Sequence, residues 1–379
     1  MPTGDKPASG EREKGPVSEM STDDFFRRQA QDARGPDPSG TNGGRPGRRR
    51  GRRLRRAALA AGTGLVLVAG IAGGGTFFTA RHLVGSVQRL HGIVALDAAD
   101  QPVMPAATRK STTVLLTSSG QRPGPNGGGV DGASPRPEAL SGLIALVHLD
   151  ANGHKGGVVN IPANTVVKVP GHGSMKIWST LALGGPSLLI RTVEKLTNVR
   201  IAHYAVLDFP GVKKVVGSMN GVDVDVPYTV RSLGFTFHAG IDKLTSASVL
   251  AYARQPGVSE IGRTELQSNV IRAILDKIAK QHLFSHAATD YRALDAMAQV
   301  FSVDSSFTDA QLVSLGLHLG DLSARDGVFL TTPTTANAGT GSVFLRQPYA
   351  RRLWSAIRHD SLAAYARRYP FTVTPGAPG

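Results

Sequence analysis

The chain has 379 residues, no cysteine and a formal net charge of +15. The lack of cysteine excludes a disulfide framework and any thiolate site. A hydrophobic content of 41% excludes a chain that is disordered throughout. Because a large positive charge is typical of nucleic-acid-binding proteins, its distribution along the chain decides how it is interpreted.

The positive charge is concentrated near the N-terminus. Residues 1–56 contain 14 Lys or Arg against 8 Asp or Glu, and eight arginines lie within residues 45–56. Residues 57–80 follow without a single charged side chain. A helix of that length reaches about 36 Å, which is enough to cross a hydrocarbon core of about 30 Å. Arginines in front of an apolar span place that side of the span in the cytoplasm.

We therefore expect a membrane anchor at this end of the chain. Residues 1–56 are predicted to be a disordered basic tail in the cytoplasm and residues 57–80 a transmembrane helix, so that the main domain is extracellular on a single-pass protein of the cell membrane. Two alternatives fit less well. The first is that the arginine run binds nucleic acid, but its position directly before the apolar span already explains it. The second is a cleaved signal peptide, but a cleavage site after Ala80 would place Phe78 at position −3, where a small residue is required.

The rest of the chain divides by composition and periodicity. Residues 81–110 are predicted to be a stalk that includes a short apolar helix near residues 83–96. The folded domain is expected at 111–285, with a C-terminal α/β extension of the same domain at 286–365 and a tail at 366–379. Residues 121–137 are rich in glycine and proline, which predicts a loop.

Strands and helices are interleaved in the predicted domain. Runs of β-branched and apolar residues predict strands at 112–116, 143–149, 158–161, 202–209, 222–226 and 328–332, the last pairing with 343–345. A turn at 151–153 joins two of them as a hairpin. Helical spacing predicts helices at 187–196, 246–254, 266–278 and 349–360, and a largely helical stretch from 285 onwards. This alternation indicates an α/β fold with a central mixed β-sheet flanked by helices.

Common catalytic motifs are missing from the sequence. It contains no GxxxxGK[ST], HExxH or GxSxG pattern, and its histidines lack the spacing of metal ligands. We interpret His148 and His203, which lie within predicted strands, as packed or edge side chains and not as metal ligands. The residues alone therefore predict no metal site.

Two arginines are a better candidate for a site. Arg254 ends one predicted helix, Arg263 precedes the next, and Gln255 and Gln267 flank them. Guanidinium groups beside a helix N-terminus favour an oxyanion, because their donors and the helix dipole act at the same place. The alternative is a pair of surface arginines beside a loop.

Several segments together resemble the LytR-CpsA-Psr family of cell-envelope proteins, in its actinobacterial type. The strongest match is residues 192–227, TVEKLTNVRIAHYAVLDFPGVKKVVGSMNGVDVDVP, which is similar to the family's helix, His-Tyr strand and GGVDV turn. Further similar stretches are 114–122, 160–171, 176–185, 244–255 and 261–267. The resemblance covers residues 110–285 best, and it agrees with one membrane span and an extracellular domain.

The resemblance implies a role in cell-wall assembly. Family members transfer glycopolymers from an undecaprenyl-pyrophosphate carrier to peptidoglycan, so the implied partners are a polyprenyl phosphate lipid, a glycopolymer, peptidoglycan and the membrane. Arginines and a Mg²⁺ ion stabilise the charge that develops when a pyrophosphate linkage breaks. Carried over by position, the catalytic arginines are Arg122, Arg254 and Arg263. The substrate-binding residues are then Gln255, Gln267 and Lys176.

The motif set is degenerate in this sequence. Gly120, Gly142 and Asn164 stand where the family has aspartates, and Pro256 and Leu266 stand where it has arginines. By our alignment three of seven arginines and one of four acids remain. The Mg²⁺ that the resemblance implies is therefore in doubt for this chain.

Three hypotheses follow from the sequence. The chain is an active glycopolymer–peptidoglycan ligase of the phosphotransferase kind. Alternatively it is a weak or inactive member that binds polyprenyl phosphates or regulates an active paralogue. The third is a membrane-tethered structural or regulatory protein of another kind. Because one lost transition-state donor costs about 10²–10³ in rate, the missing arginines favour the second hypothesis over the first.

Overall fold

A computed structural model of the chain describes residues 87–93, 101–119, 140–151, 153, 155–281, 291–312, 314–315, 318, 327–337 and 340–374. The predicted cytoplasmic tail, the predicted membrane span at 57–80 and the loop that carries Arg122 lie outside these residues. Within the described ranges no helix is both long and apolar enough to cross a membrane.

The strands are short, and the longest two are neighbours in the centre of the fold. In chain order they are β1 (Gln88–Leu90), β2 (Thr112–Ser119), β3 (Leu140–Leu149), β4 (Gly156–Asn160), β5 (Val166–Val169), β6 (Gly173–Lys176), β7 (His203–Asp208), β8 (Val222–Val226), β9 (Val230–Ser232), β10 (Phe235–Phe237), β11 (Gly240–Leu244), β12 (Phe301–Asp304), β13 (Val328–Thr331), β14 (Thr334–Asn337) and β15 (Ser342–Leu345).

The helices follow the same chain order. They are α1 (Ser179–Thr197), α2 (Val212–Ser218), α3 (Val249–Ala253), α4 (Glu260–Lys280), α5 (Tyr291–Val300), α6 (Gln347–Arg358) and α7 (Leu362–Arg368), with 3₁₀ turns at Ala106–Thr108 and Pro370–Thr372. Helix α1 is kinked, because Gly184 and Gly185 leave helical φ/ψ values just before Pro186.

Seven strands form the central sheet, in the order β1-β12-β7-β2-β3-β4-β13. The sheet is mixed: β2 runs antiparallel to β3 and parallel to β7, while β13 runs parallel to β4. The remaining strands pair in twos, as β5–β6, β8–β11, β9–β10 and β14–β15. The predicted hairpin at 151–153 is confirmed, because β3 and β4 pair as antiparallel neighbours across it.

The sheet separates two apolar cores. Along β2, Val114 and Leu116 face one core and Leu115 faces the other, as the two-residue period of a strand requires. The first core is closed by α2, α3 and α4, and the second by α1, α6 and α7. The α/β class with a central mixed sheet and flanking helices is thereby confirmed.

Two predictions near the ends of the domain are corrected by the sheet. Residues 81–110 were expected to be a stalk with a helix, but Gln88–Leu90 form β1 and pair with β12. Residues 366–379 were expected to be a tail, but the Thr374 amide donates to the Phe329 carbonyl at 2.9 Å. Both segments contribute to the fold because the sheet edges offer unpaired backbone groups that they satisfy.

Two further predictions are corrected in the C-terminal part. The stretch from residue 285 was expected to be helical, but Phe301–Asp304 form β12, which lies between β1 and β7. The segment 343–345 was expected to pair with 328–332, whereas β15 pairs with β14 and β13 pairs with β4. The partners of β12 and β13 are distant in sequence, and β15 pairs with β14 across a short turn. Local periodicity does not reveal which strand pairs with which.

Candidate functional site

The candidate site lies where β2 ends and β3 begins, next to the N-terminal part of α4. Helix α4 packs against β3 and follows α3 after a short loop. A β-bulge between Thr117 and Ser119 shifts the register of β2 against β3 at this point. The Leu143 amide donates to Ser118 Oγ at 3.0 Å and holds the irregular pairing in place. Bulges of this kind recur beside functional sites.

Helix α4 begins at a cap that the sequence provides. Ser259 precedes the helix with an extended backbone, and its Oγ accepts a hydrogen bond from the Gly262 amide at 3.2 Å. A serine in this position satisfies one of the amides that a helix N-terminus leaves without a partner. The first turn of α4 therefore presents amide groups and a partial positive charge at a defined place.

Both predicted arginines are at this helix start. Arg254 is the residue after α3 and is exposed, and Arg263 is exposed in the first turn of α4. The structure thus brings both to the loop between α3 and α4. Arg122 lies outside the described residues, so its predicted role stays a prediction.

The two predicted glutamines are buried, in contrast to the exposed arginines. Gln255 is 3% exposed and Gln267 is 5% exposed. Gln255 Nε2 and Gln267 Oε1 have no hydrogen-bond partner. A buried amide group without a partner costs about 1–3 kcal/mol, so each such group in a folded protein calls for an explanation. A polar ligand at the helix start would provide one.

Gln267 also determines what fits at Gly142. A β-carbon at Gly142 would lie 2.5 Å from Gln267 Nε2 and 2.9 Å from Gln267 Oε1. These distances are shorter than van der Waals contact, so the amide fills the space that a side chain at this position would need. Where the family resemblance implies a carboxylate, this chain has a neutral amide that reaches over from α4.

Lys176 is placed elsewhere. It ends β6, whose main contacts are with β5 and α1, and it is half-buried. The hairpin of β5 and β6 packs on the second core, whereas α3 and α4 close the first. The contacts of β6 therefore do not place Lys176 beside the two arginines, and its predicted role in substrate binding has no support from the geometry.

The described residues do not fit the Mg²⁺ ion that the family resemblance implies. Gly142 has no side chain, and Asn164 offers a neutral amide in place of a carboxylate. Among the described residues no three His, Asp or Glu side chains lie close enough to hold a metal ion. Glu265 is near Arg263 in sequence, but burial raises the pKa of its carboxyl and so disfavours the charged form that Mg²⁺ needs.

A cleft of about 240 Å³ lies farther along α4, against β8 and β11. Its floor includes Arg272, which is 5% exposed. The guanidinium donates to Asn269 Oδ1 at 3.3 Å and lies 4.4 Å from the centre of the Phe329 ring. Burial lowers the pKa of Arg272 to about 10. No sequence pattern singled out Arg272, although it lies four positions before Asp276 on one helix face.

The two strand histidines are buried, as predicted, and each has an aspartate partner that the sequence did not reveal. His203 Nδ1 lies 3.2 Å from Asp304 Oδ2, and the ring stacks on Phe307 with centres 3.9 Å apart. His148 Nε2 lies 2.9 Å from Asp360 Oδ1. Both histidines are more than nine-tenths buried, so these networks hold elements of the fold together.

Comparison with known proteins identifies the class. Residues 95–357, more than half of the chain, match the sequence profile of the LytR_cpsA_psr family. The chain therefore belongs to the LytR-CpsA-Psr family, and the resemblance drawn from its motifs is confirmed.

Individual relatives share part of their length with this chain. It is 30% identical over 163 residues to the polyisoprenyl-teichoic acid–peptidoglycan teichoic acid transferase TagU of Enterococcus faecalis, which covers 42% of this chain and 52% of that protein. It is 26% identical over 200 residues to the regulatory protein MsrR of Staphylococcus aureus, which covers 50% of this chain and 58% of that protein. The chain thus spans about half the length of the curated relatives it matches.

Solved structures support the same fold. The crystal structure of Bacillus subtilis TagV aligns with a TM-score of 0.53 at 21% identity and covers 67% of this chain and 98% of that one. A LytR-Csp2A-Psr enzyme from Actinomyces oris aligns with a TM-score of 0.53 at 17% identity and covers 72% of this chain and 96% of that one. At these identities the likeness shows the mixed sheet with flanking helices and no more.

Proposed function

We propose that this protein acts in cell-wall assembly by binding a polyprenyl-phosphate-linked glycopolymer at the start of α4. The family membership supports the general role. The name of the relative TagU, which describes transfer of a polyisoprenyl-linked teichoic acid to peptidoglycan, supports the class of ligand. The arginine run before the uncharged segment 57–80 supports a membrane anchor with the domain outside the cell.

The phosphate group is the part of such a ligand that the site suits best. Arg254 and Arg263 are exposed at the loop between α3 and α4, where the amides of the first turn of α4 also point outward. Guanidinium groups and a helix N-terminus both favour a phosphate. The buried amides of Gln255 and Gln267 add a donor and an acceptor without a partner.

We further propose that binding, and not metal-assisted transfer, is the main activity. One observation carries this proposal: the amide of Gln267 occupies the space above Gly142, where the family resemblance implies a metal-binding carboxylate. A site of arginines and amides neutralises phosphate charge, but its amide oxygens are neutral and it lacks the carboxylates by which proteins usually hold Mg²⁺. The protein would then hold a lipid-linked glycopolymer or present it to an active paralogue.

The second candidate function is transfer itself, at a reduced rate. The retained pair of Arg254 and Arg263 favours it, because charge-assisted donors that bind a pyrophosphate also stabilise the charge that develops when it is cleaved. This candidate needs no metal ion near Gly142, provided that the arginines alone lower the barrier to cleavage of the pyrophosphate linkage.

Calorimetric titration of the full-length protein with farnesyl phosphate tests the proposal. We expect saturable binding that a chelator leaves unchanged and that falls when Arg263 is replaced by Gln. Arg191→Gln, on the exposed side of α1, serves as the matched control. Absence of binding, or binding that requires Mg²⁺, would contradict the proposal.

A further inference from the structure

The exposed apolar side chains are unevenly distributed. Among the described residues, large hydrophobic side chains are exposed at eight positions, and four of these lie within residues 228–241. They are Tyr228, Leu233, Phe235 and Ile241. The same segment carries a single formal charge, Arg231, and no carboxylate. Concentrated apolar exposure of this kind marks an interaction surface.

The tip of the β9–β10 hairpin is the centre of this surface. Leu233 and Gly234 form the turn, with φ values of 47° and 85°. A leucine is disfavoured at a positive φ, where hairpin turns normally have Asn, Asp or Gly. Leu233 is also 64% exposed. The positive φ and the exposure to solvent therefore both disfavour leucine at this position. The local structure of the turn does not explain why the residue is a leucine.

The pairing of the hairpin separates an apolar face from a basic one. Phe235 pairs with Ser232 and Thr236 pairs with Arg231. Because paired side chains share a face, Phe235 lies on the same face as Phe237, and Arg231 lies on the other. Phe237 is 2% exposed, whereas Phe235 is 37% exposed. The apolar face thus continues beyond the core to the tip, with an exposed arginine behind it.

The hairpin is fixed to the helix that leads to the phosphate site. Ser232 Oγ donates to the Ala251 carbonyl of α3 at 2.8 Å. The Phe237 ring meets the Tyr252 ring edge-on, with centres 5.4 Å apart. Arg254 follows α3 directly. These contacts tie the hairpin to the helix that ends at Arg254.

We propose that the tip of the β9–β10 hairpin inserts into the interface of the lipid bilayer that carries the polyprenyl substrate. The inference rests on the proposed function, since that substrate is held in a membrane. Leu233 and Phe235 enter the boundary of the acyl chains, and Arg231 contacts the lipid phosphates. An apolar tip backed by a guanidinium and free of carboxylates matches this boundary, where apolar contact and attraction to anionic lipids add.

The lack of cysteine makes a direct test available. A single cysteine is introduced as Leu233→Cys, or as Leu183→Cys on α1, a leucine that is 49% exposed and serves as the matched control. Each full-length variant is labelled with an environment-sensitive fluorophore and reconstituted into vesicles of phosphatidylglycerol and phosphatidylethanolamine. Some of these vesicles carry nitroxide-labelled lipid. We expect several-fold stronger quenching at position 233 than at position 183.

Two results would overturn the inference. One is equal quenching at both positions. The other is shielding of the probe at 233 that needs no lipid and grows with protein concentration, because a second copy of the chain would then cover the tip. Circular dichroism of both labelled proteins checks that the fold is intact.

A substitution separates this inference from the proposed function. Leu233→Asp should leave the affinity for soluble farnesyl phosphate unchanged and reduce capture of vesicle-held polyprenyl phosphate at least about fivefold. Leu183→Asp should change neither. If the unmodified protein does not bind farnesyl phosphate, only the proposed function is contradicted, because the quenching experiment does not depend on farnesyl phosphate binding. Unchanged capture by Leu233→Asp would contradict insertion of the hairpin.

Discussion

The side-chain amide of Gln267 lies directly over the α-carbon of Gly142. A β-carbon at Gly142 would come within 2.5 Å of the amide nitrogen. Gln267 is 5% exposed, and its Oε1 has no hydrogen-bond partner. The glycine and the glutamine are therefore interdependent: the small residue makes room for the amide, and the amide excludes a carboxylate from the place where the family resemblance implies one.

A double-mutant cycle tests this interdependence. We predict that Gly142→Ala lowers the free energy of unfolding by about 1–3 kcal/mol, because the added methyl overpacks the site. In a Gln267→Ala background the same change should cost at least about 1 kcal/mol less, since the clashing amide is gone. Urea unfolding of the four full-length proteins measures both values.

Additive effects in that cycle would contradict the contact between Gly142 and Gln267. Gly257→Ala is not a suitable control, because its φ of 77° strains any other residue. Gly217→Ala is better: it lies in α2, and a β-carbon at this position would lie 3.3 Å from the Ser246 side chain, which is far less crowded than at Gly142. Its effect should be the same whether residue 267 is Gln or Ala.

The arginines at the start of α4 should account for most of the phosphate affinity. A hydrogen bond to a charged group is worth about 1.5–3 kcal/mol, so Arg254→Gln and Arg263→Gln should each weaken farnesyl phosphate binding by about 10- to 150-fold. Arg→Lys at either position should lose less, because the charge remains. Titration calorimetry gives the dissociation constants, and affinities within twofold of the unmodified protein would exclude a role for that arginine.

Asp304 should make stability depend on pH in the acid range. Burial raises the pKa of its carboxyl, but hydrogen bonds from His203, Ser306 and the Tyr204 amide outweigh burial and hold the pKa below its ordinary value. A carboxyl with a lowered pKa stabilises the fold above its unfolded pKa of about 3.9 and loses that effect as pH falls further. We predict that Asp304→Asn lowers the free energy of unfolding at pH 7 by about 1–3 kcal/mol.

The diagnostic feature of Asp304→Asn is the shape of the pH profile. Between about pH 4 and pH 2 the unmodified protein should lose more stability than the variant, because the variant has no carboxylate to protonate there. Asp223→Asn, at an exposed position of β8, is the control and should run parallel to the unmodified protein. Parallel profiles for Asp304→Asn as well would show that the buried network contributes nothing to acid stability.

Local sequence patterns predicted five of the seven strands of the central sheet and missed β1 and β12, the two strands on one side of it. Strands β2 and β3 are long alternating or apolar runs whose period is visible without knowledge of their partners. Strands β1 and β12 have three and four residues, and they are strands because they pair with each other and with β7. Such short segments take their structure from tertiary pairing, which overrides local propensity.

The parts of the candidate site that are local in sequence could be predicted, and the parts that depend on tertiary packing could not. The helix cap at Ser259 and the arginines around it are close together in sequence, so their grouping could be predicted. The contact between Gly142 and Gln267, and the bond between His203 and Asp304, join residues that are far apart in the chain. Only the packing of α4 on β3 and the pairing of β12 with β7 bring these residues together.

The central claim is that the site binds a polyprenyl-linked glycopolymer and does not carry out metal-assisted transfer. The most direct measurement follows a single turnover of the full-length protein with a pyrophosphate-linked glycopolymer, Mg²⁺ and acceptor peptidoglycan. We predict saturable binding, with release of polyprenyl monophosphate at least about 10²-fold slower than for a family member with the full arginine and aspartate set. Release at a comparable rate that stops when Mg²⁺ is removed would contradict the account.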